Sequence, residues 1–122
     1  MRRSLFREVF QLKETSCTLL SDNKDAMHAA TLSIRHHRNE LEKYARVHPE
    51  FLHSLEPVVA ENGPRIVTIM AEASERADVG PMAAVAGVLA DLAVEDMTLA
   101  GSKIAVVENG GEVSAISNQP VD

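Results

Sequence analysis

At 122 residues the chain has the length of one domain, and 45% hydrophobic residues with no Trp, one Tyr and three Phe give it an aliphatic core. A formal charge of −6 excludes nucleic acid as a main partner, because neutralising phosphates requires a basic face. One cysteine, Cys17, excludes an intramolecular disulfide.

The polar start Met1-Arg2-Arg3-Ser4 and the lone cysteine fit a reducing cytoplasm, and no apolar run is long enough for a bilayer span or reads as a signal peptide. A cytoplasmic protein without a membrane partner is therefore expected. Phe10-Gln11-Leu12-Lys13 alternates apolar and polar, and Cys17-Thr18-Leu19-Leu20 follows after Glu14-Thr15-Ser16. These runs predict two short strands paired as a hairpin.

Asp22 reads as a helix N-cap, with Asn23 as its competitor, and Asp25 adds negative charge to the first turn. The helix runs to about Arg46, with Ala26, Ala29, Ala30, Ser33, Ile34, His37, Leu41, Tyr44 and Ala45 on one broad face. His48-Pro49-Glu50-Phe51-Leu52 breaks it and starts a short helical turn. Pro64 opens the next helix, whose apolar side is Ile66, Ile69, Met70 and Ala73.

Residues 82–100 form the most informative helix. Met82, Val85, Ala86, Leu89, Ala93 and Met97 make one stripe, and no charge appears before Asp91. A helix whose first half is apolar all round belongs at the centre of a domain, so Met82, Val85, Ala86, Leu89 and Ala93 are expected among the most buried residues. On that view Gly87→Leu would overpack a close helix contact and cost about 1–3 kcal/mol. Gly101 stands where a C-terminal glycine cap belongs. Lys103-Ile104-Ala105-Val106-Val107 reads as a buried strand, Asn109-Gly110 as a hairpin turn, and Glu112-Val113-Ser114-Ala115-Ile116 as its returning partner.

Three places offer chemistry. Gly80-Pro81 precedes the apolar helix, where free backbone N–H groups can hold an anion. Asn109, Gly110 and Gly111 allow close approach of a ligand to the backbone, with the second glycine in excess of what a two-residue Asn-Gly turn needs. Glu108 and Glu112 flank that turn as candidate contacts for hydrated Mg²⁺ or polar ligand atoms. Residues 35–48, with Arg35, Arg38, Lys43 and Arg46 against Glu40 and Glu42, form a basic segment that reads as a solvated helix face or an anion site. The five histidines lack chelating spacing, so no metal is assigned to them. P-loop, nucleophile-elbow and Rossmann patterns are absent, and Cys17 in a strand reads as a buried, inert thiol.

The stretch VGPMAAVAGVLADLAVEDMTLAGSKIAVVENGGEVSAIS, residues 79–117, resembles the central segment of the ApbE flavin transferases, and more closely an uncharacterised group related to them. Phe10-Gln11-Leu12-Lys13-Glu14-Thr15, Ser21-Asp22 and His48-Pro49-Glu50-Phe51-Leu52 resemble the opening strands of that group and its link after the first helix. The resemblance implies an ApbE-like, T-fold-like half-domain: the N-terminal half of a family domain about twice as long. It implies a flavin nucleotide, FAD or FMN, or another phosphorylated small molecule as ligand, with Mg²⁺ as a further cofactor. The group's link to sulfide-dependent homocysteine formation comes with the resemblance as well. Ala86 stands where the transferases carry a lysine, and Glu112 where they carry an aspartate. Flavin transfer by this chain alone is therefore not expected.

Taken together, the expected fold is α+β: an antiparallel sheet from residues 5–13, 16–21, 103–108 and 111–117 with helices on one face. The expected function is ligand binding through Gly80, Asn109, Gly110, Gly111 and Glu112. The rival is a non-catalytic assembly module in which the same glycines serve turns. Either way, a half-domain is expected to self-associate or to pair with a C-terminal-half chain through an unpaired sheet edge and an uncovered apolar face.

Overall fold

A computed structural model describes residues 5–13, 15–60 and 62–117. Glu14 and the first four residues lie outside the described residues. Strands β1 (Phe6–Leu12), β2 (Thr15–Ser21), β3 (Ile104–Asn109) and β4 (Glu112–Ser117) form one antiparallel sheet in that order. Helices α1 (Lys24–Val47), α2 (Glu50–His53), α3 (Arg65–Ala77) and α4 (Val85–Leu99) all lie between β2 and β3, with a 3₁₀ turn at Pro81–Ala84. The predicted strands and the placement of helices on one side match this architecture.

Strand alternation decides which face the helices cover. Thr15, Cys17, Leu19 and Ser21 of β2 are buried, as are Ala105, Val107 and Asn109 of β3. Cys17 pairs opposite Asn109 and Leu19 opposite Val107, so these side chains share one face. They meet Ala26, Met27, Ala30 and Ile34 of α1 and Ala90, Ala93, Val94 and Met97 of α4. Small side chains dominate this layer, which lets both helices lie close to the sheet. On β1, Phe6 and Phe10 point the same way and are roofed by Lys24 and Arg35, each about 5 Å above a ring.

A second apolar cluster lies beyond the sheet. There Leu41, Phe51, Ile66, Val67, Met70, Val88, Leu89 and Leu92 pack together. Phe51 is fully buried, which contributes about 1.5–3 kcal/mol, and its ring meets Tyr44 edge-on. With 24 residues, α1 is long enough to serve both clusters.

The sequence expectations need three corrections. First, the cap of α1 is Asn23, not Asp22. Asn23 has extended angles, and its side-chain oxygen accepts from Asp25 N and Ala26 N. Asp22, one residue earlier, reaches across to accept from Lys103 N and Ile104 N, while Ser21 Oγ and Ser102 Oγ share a buried 2.7 Å hydrogen bond. These contacts tie the start of α1 to the start of β3. Second, only Leu89 and Ala93 of the five residues expected deepest are fully buried; Met82, Val85 and Ala86 are partly buried, Met82 and Val85 against the second cluster. The first turns of α4 overhang the sheet and border a cavity. Third, Gly87 makes no close helix contact: a Cβ there would meet only Glu112 Oε2, at 3.8 Å.

The other end of α4 follows expectation. Gly101 has φ 99°, Gly101 N donates to Thr98 O and Ser102 N to Met97 O, the paired bonds of a left-handed glycine stop.

Candidate ligand-binding site

A cavity of about 610 Å³ lies where α1, α4 and the β3–β4 turn diverge beyond the sheet. This is within the range of small-molecule sites. Its walls are Leu41 and Ala45 of α1, Leu52, Met82, and Val85, Ala86 and Leu89 of α4. Its polar groups are Thr15, Arg38, Glu42, Arg46 and Asn109, and Gly110 completes the lining. An apolar chamber with few polar groups at its border suits a ligand with an apolar body and a charged or hydrogen-bonding end.

The polar groups are themselves organised. Arg38 donates through Nη1 to Thr15 Oγ1, and its Nη2 lies 3.8 Å from Glu42 Oε1. Lys13 Nζ donates to both Glu42 oxygens at 2.7 and 2.9 Å. The Lys13 hydrogen bond, helped by the charges of Lys13, Arg38 and Arg46, holds the Glu42 carboxyl below its ordinary range. Asn109 is buried and donates through Nδ2 to Ala86 O at 3.1 Å, joining the turn to the first turns of α4.

Of the residues picked out from sequence, Asn109 and Gly110 line the cavity. Gly111 and Glu112 are exposed beside it, with Glu112 next to Gly87. Gly80 is elsewhere: it is buried, and a Cβ on it would lie 1.9 Å from Ser54 O. Close packing against the chain after α2 accounts for that glycine, and Met82, two residues on, is the part of this segment that reaches the cavity.

The second glycine of the turn also has a local cause. Asn109 pairs directly with Glu112, so the two-residue loop is Gly110-Gly111, with φ 57° and 92°. A hairpin of this kind needs positive φ at both positions, and both glycines supply it. The register places Glu112 on the helix side of the sheet and Glu108 on the other. Glu108 instead accepts from Gly111 N at 3.4 Å. The two carboxylates therefore do not converge on one ion. Among the described residues no group of three His, Cys, Asp or Glu side chains is placed to hold a metal.

Sequence reasoning left Arg38 and Arg46 between a solvated face and an anion site, and did not single out Leu41 or Thr15. The available signal was the spacing of Arg38, Leu41, Glu42, Ala45 and Arg46, which puts charges and apolar groups on one helix stripe. Cys17 is buried, and burial followed by the charge of Glu108 pushes its thiol up, away from nucleophilic use. No single helix is long and apolar enough to cross a membrane among the described residues.

Fold and cavity together define an α+β domain with a ligand-sized pocket beyond one end of its sheet. A family model described as AbpE bacteria matches residues 3–121, and the chain belongs to that ApbE-related family. It is 46% identical over 116 residues to a UPF0280 protein of Methanosarcina barkeri, covering 94% of this chain and 46% of the relative. A UPF0280 protein of Methanosarcina acetivorans is 42% identical over 120 residues, covering 98% and 47%. One from Archaeoglobus fulgidus is 45% identical over 104 residues, covering 85% and 44%. The chain thus spans about half the length of the curated relatives it matches.

Proposed function

We propose that this domain binds a phosphorylated small molecule, with a flavin nucleotide as the leading candidate, in the cavity between α1, α4 and the β3–β4 turn. The observation that carries the reading is the coincidence of an aliphatic chamber of about 610 Å³ with Arg38, Arg46, Asn109 and Gly110 at its border. Chambers of this composition hold an apolar ring system, and the arginines supply positive charge for phosphate. Gly111 and Glu112 lie next to the mouth and contact parts of the ligand that project from it; Mg²⁺ bound to the ligand's phosphates is the role left for a metal. The resemblance to the flavin transferases supports the ligand class, and it alone supports a part in sulfide-dependent homocysteine formation. Titration of the purified chain with FAD, FMN and ADP, with and without Mg²⁺, tests the reading. Saturable binding of at least one is expected; no binding by the chain or by full-length relatives overturns it.

A second reading, an assembly role, is favoured by a separate observation. Among the described residues no helix covers the far face of the sheet, and Val9 of β1 and Val113 of β4 are 61% and 64% exposed there. Exposed apolar sheet faces and unpaired edges associate. We propose that this face pairs with a second copy or with a chain equivalent to the remaining half of the relatives. Light scattering at micromolar concentration checks it: a species larger than 13.2 kDa is expected, and a compact, cooperative monomer counts against it.

A further inference from the structure

The two arginines at the cavity are not equivalent. Arg38 and Arg46 are eight residues apart on α1, about 12 Å along its axis, so they stand at opposite ends of the chamber. Arg38 sits at the turn end. It is committed to Thr15 and Glu42, and its side chain is only 17% exposed. Arg46, toward the C-terminal end of α1, lines the same cavity as Leu52 of α2, is exposed, and makes no close ion pair among the described residues, its charge acting on Glu42 only at longer range. Between them the wall is aliphatic: Leu41, Val85 and Leu89.

A guanidinium already spent on two protein acceptors holds structure in place. One that is solvated, and next to an apolar chamber, can exchange water for a ligand anion at little cost. We propose that Arg46 is the residue that recognises the anionic group, and that the pocket selects an amphiphilic anion. Its apolar body fills the chamber, its phosphate or carboxylate reaches Arg46, and its other end meets Asn109 and Gly110. Arg38 acts as a positioning residue that fixes the turn end of the chamber through Thr15. This inference rests on the ligand-pocket reading above and adds to it the direction in which the ligand lies.

FMN and riboflavin are suitable probes, because they share a ring body and differ in the phosphate. FMN is expected to bind the wild-type chain about tenfold or more tightly than riboflavin, and only FMN binding should weaken as salt is raised. R46Q should lower FMN affinity to the riboflavin level and leave riboflavin within about twofold, while R46K recovers part of the loss. Arg46 also lies in the last turn of α1, where a cation suits the helix dipole. Loss of that role alone would lower the melting temperature and affect both probes alike. Equal binding of FMN and riboflavin, or FMN binding unchanged in R46Q, overturns the assignment of Arg46 while the pocket reading stands. If neither flavin binds, the assignment falls; the pocket reading falls with it only if FAD and ADP fail too. Should R46Q not fold, R46K decides: weaker FMN binding with riboflavin unchanged is expected, and FMN binding equal to wild type overturns the assignment.

Discussion

At Gly80 the backbone angles are ordinary, φ −68° and ψ 155°, and what is missing is space: a Cβ would sit 1.9 Å from Ser54 O. At Gly110 and Gly111 nothing lies within 4 Å of a Cβ, and the angles are the constraint. In the sequence both sites read as glycine beside a helix or strand end, open to a ligand. In the fold one is a packing contact that holds the 3₁₀ turn against the chain after α2, and the other is a bare hairpin at the edge of the cavity. A glycine codon reports that a side chain is not tolerated, and only the surroundings tell whether shape or dihedral angle is the reason.

The contrast is sharpest under substitution. Gly80→Ala is expected to have the largest effect, because backbone rather than a flexible side chain blocks the new methyl. Overpacking of this kind costs about 3 kcal/mol or more. A thermal melt of the variant should show a large drop, and fluorescence or exchange probes near Ser54 should report the displaced chain. A melt like that of wild type would mean that the chain after α2 yields freely, and Gly80 would then be no packing contact at all.

Gly111→Ala should come next. Its φ of 92° lies where a Cβ is strained, at a cost of about 1–2 kcal/mol. Gly110→Asn should cost only a few tenths of a kcal/mol, since Asn enters the left-handed region readily. Urea unfolding of the two variants separates the positions. If Gly111→Ala proves as mild as Gly110→Asn, dihedral strain is not what these glycines relieve.

Gly87 breaks the pattern usefully, having neither constraint. It is in α4 with ordinary helical φ and only Glu112 Oε2 nearby, at 3.8 Å. Gly87→Ala should therefore stabilise the chain by about 0.5–1 kcal/mol through helix propensity. Lower stability in that variant would reinstate the close contact that the sequence suggested. Reduced FMN binding with stability raised would instead show that the glycine keeps room for ligand beside Glu112.

Much of the fold could be read from the sequence because local signals agreed with tertiary demands. The alternation in Phe10-Gln11-Leu12 and Glu112-Val113-Ser114, the glycine turn and the uncharged first half of α4 each favour one element type. The site was half legible. Asn109 and Gly110 reach the cavity, but the register at Asn109–Glu112 moved the turn by one residue, so the hairpin itself already requires a residue such as glycine at 111. Gly80 and the Met82–Val85–Ala86 stripe were read from local pattern, whereas their surroundings depend on where α2 and the end of α1 pack. Nothing in a helical wheel distinguishes a wall of core from a wall of a cavity. Arg38 shows the same limit, since its partner Thr15 is 23 residues away across a strand and a turn.

The smallest expected effect is at the charged rim, where open, solvated surroundings predict weak coupling. Glu42 is held by Lys13 and lies beside Arg38, with the Glu42 side chain 33% and the Lys13 side chain 56% exposed. Such an exposed pair contributes only about 0.2–1 kcal/mol. The sign follows from the lowered carboxyl: a group whose folded pKa lies below its unfolded value stabilises the fold above the unfolded value. That contribution is lost as pH falls through the folded one. The difference in unfolding free energy between wild type and Glu42→Gln should therefore be present at neutral pH. It should shrink as pH falls below about 4.3, and it should also shrink in molar salt, where the Debye length is about 3 Å. A difference that ignores both pH and salt would place Glu42 among the packed contacts of the Gly80 kind rather than at a solvated rim. Arg38 would then owe its position to Thr15 alone.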